Sequence, residues 1–106
     1  MVTEGCTVAG KVDHSILFSG AQVEKGAVVE NSVIMNGAVI HKGARVRRAI
    51  VAENAVVGAD SVVGGNGRIA VVGPDTILPE YSVVKPGEQI DTEVLAKRQA
   101  KAAEEE

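Results

Sequence analysis

The chain has 106 residues and a net charge of −3, with acids and bases interspersed. That is enough for one domain, and it carries no basic footprint for nucleic acid or an acidic membrane surface. A single cysteine excludes an internal disulfide and fits a reducing compartment, so the expected location is cytoplasmic. No apolar run reaches the length of a transmembrane helix, and the opening residues lack the apolar core of a signal peptide.

In chain order, residues 2–16 read as an irregular first coil. Val2 and Val8 are inward aliphatics, Cys6 fills a small slot before Val8, and Val12 leads to Leu17. Met1 stands directly before a working repeat residue, so the sequence predicts an excised piece with more protein upstream. Residues 17–63 are regular. Leu17, Val23, Val29, Ile34, Ile40, Val46, Val51, Val57 and Val63 follow one another in steps of six, six and five. Folded on a period of seventeen, they form three ladders: Leu17–Ile34–Val51, Val23–Ile40–Val57 and Val29–Val46–Val63. A small residue (Ser or Ala) lies two positions before each of them. Gly20, Gly37 and Asn54 recur at one turn, and Gly26 and Gly43 at another. These are the residues that enter positive φ at least cost.

Neither six nor five fits a helical turn, and fixed-period repeats outrank other fold signals. The pattern predicts an all-β fold, a single-stranded parallel β-helix of hexapeptide repeats with about five coils. Branched aliphatics fill its bore. The scarcity of aromatics, with only Phe18 and Tyr81 present, suits so narrow a core.

Gly64-Gly65-Asn66-Gly67-Arg68 breaks the count, and residues 64–71 read as a loop bulging from a corner. Coils resume over 72–90 through Val72, Leu78, Val84 and Ile90, with Pro74, Pro79 and Pro86 at corners where no ladder donor is lost. Residues 91–106 read as a short helix opened by Asp91 or Thr92 and covering the end of the stack, or as an unstructured tail. The fold therefore occupies 1–90.

Chemistry is sparse. The glycines of the 64–71 loop have no following Lys or helix pattern to hold phosphates. Two histidines are too few for a zinc hydratase on this scaffold, so no metal, cofactor or catalytic residue is expected within the chain. His14 and His41 read as surface residues with no carboxylate at an evident orienting offset. The outer faces are more informative. The first face of the regular coils presents Ile16, Phe18, Val33, Met35 and Ile50, the only consistently apolar set, and is expected to be buried against another domain or subunit. Arg45, Arg47 and Arg48 cluster near two corners as a candidate contact for an anionic effector, against the plainer reading of solvated charge near Glu30 and Glu53.

Several segments together resemble one family. They are Glu4-Gly5-Cys6, Val8 to Val12, Asp13-His14-Ser15-Ile16-Leu17-Phe18, Asn31-Ser32-Val33-Ile34-Met35 and Arg45 to Val51. The chain resembles the C-terminal domain of bacterial glucose-1-phosphate adenylyltransferase (ADP-glucose pyrophosphorylase), closely over residues 2–63 and loosely over 69–90. The resemblance implies a left-handed coil. It implies a parent enzyme that makes ADP-glucose and pyrophosphate from ATP and glucose 1-phosphate for glycogen synthesis. The catalytic N-terminal domain, using Mg²⁺ and ATP, lies outside this chain and is the expected packing partner, within a homo- or hetero-tetramer that responds to allosteric effectors. Glu53 stands where sugar-bisphosphate-activated relatives carry a basic residue, which puts that activator site in doubt. Three other readings stay open: the β-helix of another sugar-1-phosphate nucleotidyltransferase such as a mannose-1-phosphate guanylyltransferase, a small trimeric acyltransferase using His41 or His14, or a pure scaffold.

Overall fold

A computed structural model describes residues 5–94. Branched side chains at every sixth or fifth position cannot share one face of a helix, so the chain hides them by turning three corners per coil. The result is a left-handed parallel β-helix of about five turns, with one short helix after the last strand.

Fifteen strands of two or three residues form three five-stranded parallel sheets. The first sheet stacks Ile16–Leu17, Val33–Ile34, Ala49–Val51, Ala70–Val72 and Gln89–Ile90. The second stacks Thr7–Val8, Gln22–Val23, Val39–Ile40, Val56–Val57 and Ile77–Leu78. The third stacks Lys11–Asp13, Val28–Glu30, Arg45–Arg47, Val62–Gly64 and Val83–Val84. The register puts Ile34 between Leu17 and Val51, Ile40 between Val23 and Val57, and Val46 between Val29 and Val63. The ladders continue to Val72 and Ile90, to Leu78, and to Val84. All of these aliphatics are buried, as are the Ala residues of the small slots.

The first coil is shorter, and its crossing from the second sheet to the third is made at Gly10. A Cβ there would lie 2.5 Å from the carbonyl oxygens of both Glu24 and Ala27, so only glycine fits. The loop that interrupts the upper coils is narrower than the expected 64–71. Gly64 still pairs with Arg47, and Ala70 re-enters the ladder opposite Ala49, which leaves residues 65–69 outside it. The ladder keeps its partners at both edges because Gly64 reaches a φ of 75° and Ala70 fills the next small slot.

The two ends of the bore differ. Val8 is 40 % exposed and Val12 half-buried, although both hold inward positions. At the other end Leu78, Val84 and Ile90 are buried. There Asp91 Oδ1 accepts the Val94 amide at 2.8 Å, the N-cap bond of the helical turn at residues 92–94, and Val94 packs on the core. Val2 and the rest of the expected C-terminal helix lie outside the described residues. Among the described residues, no helix is long and apolar enough to cross a membrane.

Candidate functional site

The first face is a row of apolar side chains set by the sheet register. Ile16 pairs with Val33, Val33 with Ile50 and Ile50 with Val71, before Gln89 ends the row. Ile16 and Phe18 are exposed, while Val33, Met35, Ile50 and Val71 are half-buried. Val71 joins the row unforeseen, because the loop at 65–69 shifts the count by four residues and hides it from a search on a period of seventeen.

Beyond the regular coils, the other two faces carry apolar side chains as well. On the second face Val39, Val56 and Ile77 are in register, and on the third Val62 pairs with Val83. Ile77 at 64 %, Tyr81 at 72 % and Val83 at 58 % are more exposed than any member of the first face. A tally confined to the regular coils could not reach these later residues.

The histidines also depart from expectation, because both have a carboxylate beside them. His41 Nδ1 lies 3.0 Å from Glu24 Oε1, and the same oxygen accepts the Lys42 amide at 3.0 Å. The partner sits seventeen residues away because one coil separates neighbours on the outer surface, so a search of nearby sequence misses it. Glu24 is held below the usual carboxylate range, first by the hydrogen bond from His41 and then by the Lys42 amide. Its ionised form takes the Nδ1 hydrogen and leaves Nε2 as the basic nitrogen. A groove of about 330 Å³ adjoins the pair, walled by Val56, Ile77 and Pro79. His14 Nδ1 is 2.8 Å from Asp13 Oδ1 on an open corner. Among the described residues, no three His, Cys, Asp or Glu side chains gather as a metal centre requires.

The three arginines divide. Arg45 and Arg47 project from the third face and line a groove with Lys11, Val28 and Glu30. Arg47 Nε is 3.2 Å from Glu30 Oε2. Arg48 stands at the corner with φ 45° and is not part of that groove. Lys11 was not expected here. Its place follows from pairing with Val28, which in turn pairs with Arg45.

Stacked coils on this period, with small residues at the corners and aliphatics in the bore, define a hexapeptide-repeat β-helix domain. The chain belongs to the family described as GlmU-like, C-terminal hexapeptide, which it matches over residues 1–72. No curated protein matches it. A domain of this type is consistent with the C-terminal part of a sugar nucleotidyltransferase and with an acyltransferase.

Proposed function

We propose that this chain is the C-terminal regulatory and oligomerisation domain of a cytoplasmic glucose-1-phosphate adenylyltransferase, which makes ADP-glucose for glycogen synthesis. The observation that carries this reading is the uninterrupted apolar row Ile16–Val33–Ile50–Val71, flanked by Phe18 and Met35. A rigid flat sheet with such a row is suited to pack on a catalytic domain or on another subunit of a tetramer. The segments that resemble the adenylyltransferase family include three strands of this face, Ile16–Leu17, Val33–Ile34 and Ala49–Val51. Mg²⁺ and ATP belong to the catalytic domain in this reading.

The test is to express the chain with the polypeptide encoded immediately upstream and assay pyrophosphate release from ATP and glucose 1-phosphate with Mg²⁺. Robust turnover is expected, and Ile16→Asp with Ile50→Asp is expected to reduce the mass of the assembly. Turnover with GTP and mannose 1-phosphate instead, or none with either pair, would overturn the assignment.

The His41–Glu24 pair supports a second reading, an acyltransferase in which His41 Nε2 is the base. Acetyl-CoA distinguishes the two. Thermal stabilisation by acetyl-CoA that is lost in His41→Ala favours the acyltransferase, and the adenylyltransferase reading predicts no shift.

A further inference from the structure

An asparagine side chain can be attacked by the backbone nitrogen of the residue that follows it, provided that nitrogen is free to approach. The chain has four asparagines, Asn31, Asn36, Asn54 and Asn66. Three of the nitrogens after them are engaged as donors. The Ser32 amide donates to Ser15 Oγ at 3.1 Å, Gly37 to the Ser19 carbonyl at 3.1 Å and Ala55 to the Ala52 carbonyl at 3.2 Å. The fourth amide, that of Gly67, meets no acceptor among the described residues. Asn36 and Asn66 both precede glycine, which has no Cβ to shield its nitrogen.

These two Asn-Gly pairs sit in opposite surroundings, although both asparagines are exposed. Asn36 and Gly37 form a corner of the regular coils. The Asn36 carbonyl accepts the Asn54 amide at 2.9 Å, and Asn54 Oδ1 lies over Gly37, 2.5 Å from where a Cβ would stand. Asn66 and Gly67 belong to residues 65–69, outside the ladders. That loop is tied near its ends. The Gly65 amide donates to the Arg47 carbonyl at 3.1 Å, and the Gly87 amide to the Arg68 carbonyl at 3.0 Å. Between the ties, the nearest atom to a Cβ placed on Gly67 belongs to the Pro86 ring, 3.7 Å away. The Asn66 side chain and the Gly67 nitrogen can therefore meet without breaking a hydrogen bond of that amide. At Asn36 the same approach must first pull Gly37 off Ser19 and open the corner.

We infer that Asn66 is a site of spontaneous covalent modification, deamidation through a cyclic imide. The Gly67 nitrogen gives its proton to a base in solution and bonds to Asn66 Cγ. The bond from Cγ to the side-chain nitrogen breaks, and that nitrogen takes up a proton and leaves as ammonia. Water then opens the imide at either carbonyl and yields aspartate or isoaspartate. No oxidant or reductant takes part. The product carries one new negative charge beside Arg68 and, as isoaspartate, one more main-chain carbon, in a loop that the ladders do not use. The site rests on neither reading of the parent enzyme.

The test is to keep the 106-residue chain in warm, mildly alkaline buffer, folded in one sample and in concentrated urea in the other. Trypsin then releases peptide 26–42 with Asn31 and Asn36, and peptide 49–68 with Asn54 and Asn66. Fragment masses locate each amide that has become an acid. In the folded chain Asn66 should react at least about tenfold faster than Asn36, whose attacking amide is held by a hydrogen bond. In urea the two should react at about the same rate, because both precede glycine. Methyl transfer from S-adenosylmethionine by an isoaspartyl methyltransferase should mark peptide 49–68 of the aged folded chain. Equal loss at Asn36 and Asn66 in the folded chain, or an Asn66 that reacts only in urea, would overturn the site.

Discussion

The corner serines carry more than their size. Ser32 Oγ accepts the Ala49 amide at 3.2 Å and donates to the Glu30 carbonyl at 2.7 Å, both across the tight corner that takes only five residues. Ser15 acts in the same way one coil below, and Ser61, at the corner before the third sheet, donates to the Pro79 carbonyl and accepts the Ser82 amide of the next coil. Ser32→Ala keeps the volume but strands a buried amide, so a loss of about 1–3 kcal/mol is expected in chemical denaturation. The same corner forces His14, Asn31 and Arg48 to φ values of 46°, 49° and 45°. Asn31 tolerates that region and Arg48 does not, so Arg48→Asn should raise stability by about 1 kcal/mol, read as a higher denaturation midpoint. Glu24 makes stability depend on pH. Its folded pKa lies below the ordinary 4.5, so its contribution is present above that value and is lost as pH falls through the folded pKa. As pH falls below 4.5 the natural chain should lose more stability than Glu24→Gln.

At the scale of the element, each strand is too short to stand alone and is held by the coils above and below. Ile40 is buried between Val23 and Val57. Ile40→Ala should therefore cost about 2–5 kcal/mol by opening a cavity in a bore with no space to collapse. The strands of the regular coils were legible because the step of six, six and five repeats without error from Leu17 to Val63. The third corner was not legible. Its left-handed residues are a histidine, an asparagine and an arginine, which share no composition, and only the recurring step of five marks it. The serines at 15, 32 and 61 were visible as small residues. Their hydrogen bonds were not, since Ala49 fills the slot of Ser15 and Ser32, and Ala44 that of Ser61, without a hydroxyl.

At the scale of the molecule, the described coils have three unlike faces and a register that decides what each face displays. His41 meets Glu24, and Lys11 joins Arg45, only because the chain returns to nearly the same place every seventeen residues. These pairings could have been read by writing the outward residues on the same period as the inward ones. Val71 could not, because the loop at 65–69 sets the upper coils on a different count. A shift of one residue would turn every inward side chain outward, so all the surfaces rest on this winding. Methyl–methyl nuclear Overhauser contacts test it most directly. Ile40 is expected to show strong contacts to Val23 and to Val57, and Val57 to Leu78. Contacts from Ile40 to residues three or four positions away, with none to Val23 or Val57, would contradict the three-sided coil.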